Sequence, residues 1–469
     1  MHAVTCAIRS ILALLVMSSA TVASAQSTLP AETTSAIDRA VTDTLTRSGA
    51  PSASIAVVQN GAIAYVQAYG KARLEPPLLA APEMRYSIGS ISKQFTAAAI
   101  LLLAEDGKLS LDDHVGRWLP DLTRANEVTL RQILSMTSGY QDYWPQDYVM
   151  PGMLKDVTPD QILRGWARKP LDFEPGTKWQ YSNTNYVIAG QIVERLAGKP
   201  LFDFLRERVF GPLKMTTVSN TDEAPLGANE PMRYLRFAIA PPRPAPKEGR
   251  GWMFAAGELA MTARDLALWD TSMIERSVLK PASYRQMETE TLLANGAPTG
   301  YGLGVSVAMA GGRRQISHSG EVSGFTAQNV VYPDDRAAIV VLANLDATGA
   351  SSLIASRIGT LLFAANNADT RQAVDQARKI FGDLQQGRID RSLFTDNANA
   401  YFGEDALKDF QSSLGPLGNP GGFAQTSQSL RGGMVMRRFQ IAFPGRVLSL
   451  TTFTMPDGKI EQYQVAAVE

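Results

Sequence analysis

The amino-acid sequence predicts an α/β (α+β) protein with an antiparallel sheet flanked by helices, an all-helical subdomain and a small C-terminal α+β domain. Two segments near opposite ends of residues 27–364 each contain a pair of short, strand-like apolar runs around a turn. Mostly helical patterns separate these segments, and the composition changes after Phe363. A chain of 469 residues exceeds one ordinary domain. We therefore expect a large domain at residues 27–364 and a smaller one at residues 365–469.

The N-terminus is typical of a cleaved export signal. Arg9 precedes a short apolar run that ends near Met17, and an Ala-Ser-Ala site follows at residues 23–25. A membrane anchor is the alternative, but the run is short for a membrane span and its small-residue end suits a signal peptidase. We assign residues 1–25 to a signal peptide and expect an exported protein, either periplasmic or secreted.

Cysteine and charge content exclude several classes of function. Cys6, the single cysteine, lies inside the signal, so the mature chain holds no thiol for disulfides, catalysis or metal binding. The chain has 45 basic and 45 acidic residues, so it has no net positive charge that would attract nucleic acid. No later segment is typical of a transmembrane helix, so no stable span is expected after signal cleavage. We expect no cofactor, no metal and a small-molecule or peptide substrate, and the oligomeric state stays open.

The mature chain begins with a predicted helix and a predicted hairpin. Ile37, Val41 and Leu45 recur at helical spacing in AETTSAIDRAVTDTLTRSG, which ends at a glycine. SASIAVVQNGAIAYVQAYG then contains two apolar runs on either side of Asn60-Gly61, a strong hairpin signal.

A matching pair of strands is predicted in FTAQNVVYPDDRAAIVVLANL, with its turn at Asp334-Asp335 and a helix from Ser351 to Phe363. We expect strands from both ends of the large domain to share one sheet. Helices are predicted between them in LRQILSM, TPDQILRGWARKP, YVIAGQIVERLAGKPLFDFLRERVF and TARDLALWDTSMI. The stretch RFAIAPPRPAPKEGRGW is typical of a long surface loop, either a plain connector or the roof of a pocket.

Beyond Phe363, AANNADT is typical of a linker. Two helices are predicted in QAVDQARKIFGDLQQGRID and GEDALKDFQSSLG, and three strands in VMRRFQIAF, RVLSLTTFTM and KIEQYQVAAV. This domain loosely resembles nuclear-transport-factor-like domains. Shaping the pocket, dimerisation and binding of cell-wall material are all open roles for it.

The stretch YSIGSISKQFTAAAILLLAEDGKL carries the main chemical signal. Its apolar run predicts a buried helix, and Ser90 and Lys93 stand three residues apart on one face of its positive end. A buried lysine with a depressed pKa can take the serine proton, and backbone N–H groups there can hold an oxyanion. S-x-x-K also occurs by chance, as at Ser277 and Lys280, so this motif needs support from elsewhere.

Two later motifs supply that support. EPGTKWQYSNTNY places Tyr181 and Asn183 two residues apart before a helix, where a phenol acidified by an ammonium can act as base and an amide can hold a carbonyl. RRQISHSGEVSGF carries His318, Ser319 and Gly320 on a predicted strand, where glycine allows close approach and an open edge can pair with a substrate. Taken alone, each motif would more often have a structural role.

In this order, YSIGSISK, YSN and HSG resemble the active-site triplet of the penicillin-recognising serine hydrolases: class C type β-lactamases, DD-carboxypeptidases, D-aminopeptidases and related esterases. GKLSLDDHVGRWLPD, VTLRQILSMTSGY, PLKMTTV and AAGELAMTARDLALW extend the likeness from Ala36 to Phe363. The resemblance implies the fold stated above and a serine hydrolase that acts through an acyl-enzyme. It implies esters or D-residue peptides and amides as substrates, and β-lactams in some members.

The resemblance also implies a role for each motif residue. Ser90 would be the acylated nucleophile, with Lys93 and Tyr181 as the proton-transfer pair. The residues implied to bind substrate or to line the strand edge and the oxyanion hole are Asn183, His318, Ser319, Gly320 and Glu321, the last through its backbone N–H.

One departure affects the expected substrate. Many β-lactamases have Lys-Thr-Gly where this chain has His318-Ser319-Gly320, and imidazole is mostly neutral above its ordinary pKa of ~6.5. A fixed cation for a substrate carboxylate is therefore not expected. This favours esterase or D-residue peptidase action over penicillin hydrolysis.

Other functional classes fit less well. A Ser-His-Asp hydrolase of another fold is disfavoured because the chain has no G-x-S-x-G elbow. A zinc hydrolase is disfavoured because the mature chain offers only His114, His318 and carboxylates as ligands. The non-enzyme alternative is a catalytically silent penicillin-binding-like protein that binds cell-wall fragments or acts as a scaffold or sensor.

Overall fold

The computed structural model describes residues 29–146, 148–366 and 368–467, so the expected signal peptide lies outside the described residues. The helices are α1 (Ala31–Ser48), α2 (Ser92–Glu105), α3 (Leu130–Leu134), α4 (Pro159–Ile162), α5 (Asn183–Ala197), α6 (Leu201–Leu205), α7 (Ala263–Glu275), α8 (Pro281–Met287), α9 (Ala350–Asn366), α10 (Ala368–Gln385), α11 (Asp396–Tyr401) and α12 (Glu404–Leu414). The strands are β1 (Ser52–Gln59), β2 (Ala62–Arg73), β3 (Leu78–Leu79), β4 (Tyr86–Ser87), β5 (Ser219–Asn220), β6 (Tyr234–Leu235), β7 (Arg243–Pro244), β8 (Leu259–Met261), β9 (Ser306–Ala310), β10 (Arg313–Val322), β11 (Phe325–Tyr332), β12 (Ala337–Ala343), β13 (Gly422–Arg431), β14 (Met434–Phe443), β15 (Arg446–Thr454) and β16 (Ile460–Ala467).

The main sheet joins strands from both ends of the large domain, as predicted. Its order is β3-β2-β1-β12-β11-β10-β9, and its paired strands are antiparallel. The central strands β1 and β12 are almost wholly buried because α1 and α9 cover one face and α7 covers the other. Burial on both faces explains why their sequences are continuous apolar runs rather than alternating ones.

The helical subdomain is organised around α2. Its sequence is apolar on all sides, and ten of its residues expose no more than 1% of their surface to solvent. Helices α5 and α6 pack against α2, and α3 packs against α5. An all-round apolar helix is stable only inside such a shell. The expected architecture, a helix-flanked antiparallel sheet beside a helical subdomain, is confirmed.

The C-terminal residues form a second core with their own antiparallel sheet, in the order β13-β14-β15-β16. Helices α10 to α12 pack around this core. Two sequence predictions were wrong here. Three strands were expected, and β13 is a fourth, missed because its polar sequence lacks alternation. The expected linker AANNADT is helical wherever it is described, since α9 continues to Asn366 and α10 begins at Ala368.

The C-terminal part of the Pro- and Arg-rich loop at residues 236–252 is held by contacts to two different regions. Glu248 is buried and accepts a hydrogen bond from Ser323 Oγ at 2.7 Å, just after β10. Further along, Gly249 N donates to Met153 O at 2.7 Å and Val157 N donates to Arg250 O at 2.9 Å. The loop therefore connects the end of β10 to the helical subdomain. None of the described helices has the length and hydropathy of a membrane span.

Asn344 links three segments of the large domain through side-chain hydrogen bonds. Its Oδ1 accepts hydrogen bonds from Ser52 N and Ser52 Oγ, both at 2.8 Å. Its Nδ2 donates to Ala72 O at 3.0 Å and to Met232 O at 3.1 Å. The side chain is fully buried, so no water is available to replace these bonds.

We predict that Asn344→Ala lowers the free energy of unfolding of the large domain by about 3 kcal/mol, because it leaves buried donors and acceptors unpaired. Urea unfolding followed by tryptophan fluorescence measures this domain alone, since the 6 tryptophans of the chain all lie within residues 118–269. The control is Asn295→Ala in an exposed turn, which should cost less than about 1 kcal/mol. Equal losses in the two variants would contradict the prediction.

Candidate active site

Ser90 is placed against β10 by a backbone turn that requires glycine. Gly89 has a left-handed φ of 52°, and a single 3-10 turn over Gly89–Ile91 leads directly into α2. A Cβ atom on Gly89 would lie 2.7 Å from the backbone N of Glu321. Glycine therefore allows the backbone around Ser90 to approach the strand directly.

Lys93 follows one turn later and is fully buried. Its Nζ lies 2.9 Å from Ser90 Oγ, 2.8 Å from Asn183 Oδ1 and 2.9 Å from Ala256 O. Burial lowers the pKa of this amine to about 7, against the smaller raising effect of the Asp142 carboxylate. A neutral amine has two N–H donors, which Asn183 and Ala256 accept. Its lone pair is then available to the Ser90 hydroxyl.

Tyr181 completes the group around Ser90. Its phenol shares a hydrogen bond with the Ser90 side chain, and Lys93 Nζ lies 5.0 Å from the centre of its ring. Burial raises the pKa of Tyr181 above its ordinary value, although the Ser90 contact opposes this. We expected a phenol acidified by a neighbouring ammonium, and that expectation was wrong because burial favours the neutral forms of both groups. Lys93 is therefore the better proton acceptor, and Tyr181 remains a proton donor.

Asp142 is a site residue that the sequence analysis missed. Its Oδ1 accepts hydrogen bonds from Asn183 N at 2.9 Å and Trp144 N at 3.2 Å, and its Oδ2 lies 3.3 Å from Asn183 Nδ2. Burial raises the pKa of Asp142, while these hydrogen bonds and Lys93 lower it. The carboxylate thus orients the Asn183 amide, so that its oxygen points to Lys93. One N–H of the amide remains available to a ligand.

The upper part of β10 has an open edge beside Ser90. Strand β9 pairs only with Arg313–Ser317, so no strand among the described residues pairs with residues 318–322 on that side. A Cβ on Gly320 would lie 1.9 Å from Ile88 O and 3.4 Å from Ser90 N. The backbones at Ser90 and at Gly320-Glu321 therefore face each other closely, as required for two N–H groups that bind one oxyanion.

His318 lies on this edge as a neutral side chain. Its Nε2 lies 2.9 Å from the Tyr301 hydroxyl, and its Nδ1 lies 2.5 Å from Ser319 O. A tautomer with the proton on Nδ1 satisfies both contacts, because the carbonyl accepts and the hydroxyl can donate. Burial, and then nearby Lys93, lower the pKa of His318 to about 4. Tyr301 was not recognised in the sequence.

The side chains of β10 alternate between two faces. His318 and Gly320 are buried toward α2, whereas Ser319 and Glu321 are exposed on the opposite side. Glu321 Oε1 accepts a hydrogen bond from Ala347 N at 2.8 Å there. The structure thus brings the side chains of the Ser90, Tyr181 and His318 motifs together. Ser319 and Glu321 can contribute only backbone groups to the site.

A buried amide network fixes the distance between α2 and this strand. Gln94 Nε2 donates to Asn329 Oδ1 at 2.9 Å, and His318 N donates to the same oxygen at 3.2 Å. Asn329 Nδ2 donates in turn to Asp270 Oδ1 at 2.8 Å. Gln94 is the neighbour of Lys93, so the network positions the nucleophile helix against the substrate edge. The signal for these residues was weak, because their bonds join α2, α7 and β11, which are far apart in the sequence.

Comparison with known proteins supports this arrangement. The Beta-lactamase family model matches residues 37–359. The chain is 29% identical over 306 residues to a D-aminopeptidase from Brucella canis, which covers 65% of this chain and 58% of that protein. A D-stereospecific amidohydrolase from Streptomyces sp. is 26% identical with a TM-score of 0.60, over 68% of this chain and 96% of that one. The resemblance inferred from the three motifs is confirmed.

The similarity in fold also reaches the C-terminal residues. The octameric penicillin-binding protein homologue from Pyrococcus abyssi has a TM-score of 0.63, and the match covers 92% of this chain and 99% of that one. Its identity of 20% supports a shared fold alone. The chain spans less than two thirds of the length of the Brucella relative.

We predict that covalent labelling of Ser90 by a fluorophosphonate depends on pH with a midpoint near the Lys93 pKa of about 7. Only the neutral amine can accept the serine proton, so labelling is present above this pH and falls about tenfold per pH unit below it. Asp142→Asn removes a charge that raises the Lys93 pKa, so the midpoint should move to lower pH.

Intact mass after labelling from about pH 5 to about pH 9 provides the measurement. Ser90→Ala is the control and should give no adduct with either the fluorophosphonate or a fluorescent penicillin. A flat pH profile, or a midpoint that does not move in Asp142→Asn, would refute the assignment of Lys93 as the base. No adduct on the wild-type protein would instead favour the catalytically silent alternative.

Proposed function

Because the chain belongs to the beta-lactamase family, we propose that it is an exported serine hydrolase that forms an acyl-enzyme on Ser90. We further propose that it hydrolyses peptides or amides after a D-residue with a free α-ammonium group, as a D-aminopeptidase does. The observation that carries this proposal is the Asp142 carboxylate, which lies against Asn183 and within electrostatic range of Lys93.

Acylation begins with neutral Lys93, which takes the proton of Ser90 as its Oγ bonds to the substrate carbonyl carbon. The carbonyl oxygen becomes an oxyanion between the backbone N–H groups of Ser90 and Glu321. Preorganised donors of this kind are worth about 3–4 kcal/mol each in other serine hydrolases. Because these groups sit on facing backbones that glycine brings together, they need little rearrangement to bind the oxyanion.

Collapse of the tetrahedral intermediate breaks the scissile C–N bond. The leaving amine takes a proton from the Tyr181 hydroxyl, and the Lys93 ammonium returns a proton to Tyr181. This leaves the Ser90 ester, a neutral lysine and a free amine. Deacylation follows the same steps with water as the nucleophile. Water gives one proton to Tyr181, which passes its own proton to Lys93, while the water oxygen attacks the ester carbon. The Lys93 ammonium then returns the proton to Ser90 Oγ as the C–O bond breaks, which releases the acid product.

The carboxylate of Asp142 gives the acyl side of the site a negative charge. No ion pair to Asp142 is found among residues 29–146, 148–366 and 368–467, and its neighbour Lys93 is largely neutral above about pH 7. An α-ammonium lies one carbon from the scissile carbonyl. A substrate whose carbonyl occupies the oxyanion hole and contacts Asn183 can therefore place that ammonium near Asp142.

Two features support the preference for amides of D-residues. The relatives in Brucella and Streptomyces carry the names D-aminopeptidase and D-stereospecific amidohydrolase. The neutral imidazole of His318 supplies no cation for the carboxylate that β-lactams carry. Ester hydrolysis uses the same nucleophile and remains a side activity in this proposal. Export is proposed from the signal-like residues 1–25 alone.

We predict that the wild-type protein cleaves D-alanine p-nitroanilide faster than both its L-enantiomer and its N-acetylated form. In Asp142→Asn, the ratio of kcat/KM for the free-amine substrate to that for the N-acetylated substrate should fall by about tenfold or more. This corresponds to the loss of a charged hydrogen bond worth ~1.5–3 kcal/mol. Using a ratio cancels any effect of the mutation on Lys93.

Asp160→Asn is the matched control, since Asp160 is an exposed carboxylate paired with Arg164. It should leave the ratio unchanged, and Ser90→Ala should abolish turnover of every substrate. Faster cleavage of the N-acetylated substrate by the wild-type protein would rule out the aminopeptidase assignment. Undiminished turnover in Ser90→Ala would rule out the hydrolase mechanism itself.

We also predict that His318→Lys raises the acylation rate by a carboxylate-bearing penicillin relative to a neutral aryl ester, by about tenfold, because it adds a cation on the leaving-group side. His318→Gln is the control and should not change this ratio, since it remains neutral. Stopped-flow acylation rates provide the measurement. An unchanged ratio in His318→Lys would show that charge at this position does not select the substrate.

A further inference from the structure

A second cleft, of about 870 Å³, lies on the opposite side of the main sheet from Ser90. His318 and Gly320 face Ser90, so alternation along β10 directs Gln315 and Ser317 toward this cleft. Strand β11 and helix α9 form the remaining floor and one wall, and residues 425–430 of β13 form the other wall. The proposed reaction uses none of these groups.

The β13 wall presents unpaired backbone groups. A Gly-Gly turn at residues 432–433, with φ of 58° and 78°, joins β13 to β14 and makes Arg431 and Met434 a hydrogen-bonded pair. Hydrogen-bonded and non-hydrogen-bonded pairs alternate along an antiparallel ladder. Counting from Arg431, Gln428 and Leu430 fall in non-hydrogen-bonded pairs, so their N–H and C=O groups point away from β14. Because β13 is an edge strand, these groups face outward along the sheet edge.

The next hairpin leads to the same result. A two-residue turn makes Phe443 and Arg446 a hydrogen-bonded pair, so the odd-numbered residues of β14 bond to β15. The even-numbered residues of β14 must then bond to β13, and their partners are Ser427, Ser429 and Arg431. Both hairpin turns therefore lead to the same assignment, in which the backbone groups of Gln428 and Leu430 form no hydrogen bonds to β14.

The same wall has a buried acceptor that needs a donor. Gln425 Oε1 is buried and has no hydrogen-bond partner among the described residues, while its Nε2 lies 3.3 Å from Gln428 Oε1. A buried carbonyl oxygen without a donor is costly, and an N–H from a ligand would remove that cost.

The facing walls have little charge and little bulk. Of the described residues that line the cleft, Arg313 alone is charged, and it pairs with Asp335 and lies 4.1 Å from the centre of the Phe363 ring. Helix α9 contributes a row of small side chains, namely Ser352, Ala355, Ser356, Gly359 and Thr360. The small residues leave room for ligand side chains, and the lack of an unpaired charge favours uncharged ones.

We propose that this cleft binds an extended peptide with uncharged side chains, which adds as a strand to the free edge of β13. The outward groups of Gln428 and Leu430 recur every two residues, which is the period at which an antiparallel peptide backbone offers its own N–H and C=O groups. A glycan has no backbone of this period and would depend on side chains alone. Residues 425–430 of this edge carry neither charge nor proline, the usual obstacles to strand addition.

The proposed peptide site is connected to the active site through β10. Gln328 accepts a hydrogen bond from Ser352 Oγ at 3.0 Å, and its Nε2 donates to His318 O at 3.3 Å. A peptide in the cleft would therefore contact the side-chain layer that holds the carbonyl of His318.

The test uses the full chain and a fluorescein-labelled, acetylated L-peptide of sequence Ser-Ala-Thr-Ala-Ser-Ala, with binding followed by fluorescence anisotropy. Gln428→Pro removes an outward N–H and obstructs strand pairing, and Ser356→Trp fills the opposite wall. Each should weaken binding by about tenfold or more, the equivalent of losing one or two hydrogen bonds or the space for the peptide. Gln428→Ala is the matched control, because it keeps the backbone N–H and should bind like the wild type.

Several outcomes would overturn the proposal. The first is no binding by the wild type at up to ~1 mM peptide. The second is binding by Gln428→Pro and by Ser356→Trp as tight as that of the wild type. The third is binding of a chitotetraose probe without binding of the peptide. A concentration-dependent dimer that Gln428→Pro abolishes, without peptide binding, would assign the edge to a second copy of the chain. Unfolding by tryptophan fluorescence shows that the large domain of each variant is folded, and a far-UV circular dichroism spectrum that matches that of Gln428→Ala shows that the C-terminal sheet is intact. Neither control uses Ser90, so this test is independent of the proposed hydrolase activity.

Discussion

The active site depends on an amine that is buried without a direct ionic partner. Lys93 Nζ contacts three neutral oxygens, those of Ser90, Asn183 and Ala256, and it has no exposure to water. Desolvation alone would favour the neutral amine strongly, and a carboxylate in direct contact would restore the ammonium. Asp142 lies instead behind the Asn183 amide. The amide keeps the charge close enough to influence the amine but too far to form an ion pair, and this brings the lysine pKa to about 7.

The fold maintains this balance by fixing α2 on two sides. On one side, Thr96 Oγ1 donates to Ala255 O at 2.7 Å, which places the next carbonyl, that of Ala256, against Lys93. On the other side, Gln94 is bonded to Asn329 of the sheet. The amine therefore has little freedom to reach water or a different acceptor. Catalytic geometry of this kind depends on the packing of the surrounding layer as much as on the reacting groups.

The sequence predicted those features whose signals are local. Ser90 and Lys93 stood in an apolar helical run, and HSG lay in a strand, so their chemistry and spacing were both visible. Asp142 was not identified because its role depends on contact with Asn183, which is distant in sequence. The polar strand β13 was also missed, because an edge strand with few buried side chains has no alternating pattern. The linker prediction failed because Asn366 and Asp369 belong to residue types that usually favour loops, but here they lie within α9 and α10, which pack against each other.

The electrostatics of the pocket differ between its two ends, and this difference bears on selectivity more than the nucleophile does. Asp142 places a carboxylate at the acyl end, next to the Asn183 amide. At the leaving-group end, Tyr301 and Ser319 satisfy both nitrogens of His318 in its neutral form. The proposed substrate, with an ammonium before the scissile bond and no required anion after it, matches both ends. A penicillin has a carboxylate at the end where this pocket has no cation, so the same nucleophile would bind it without the charge pairing that Lys-Thr-Gly provides in related enzymes.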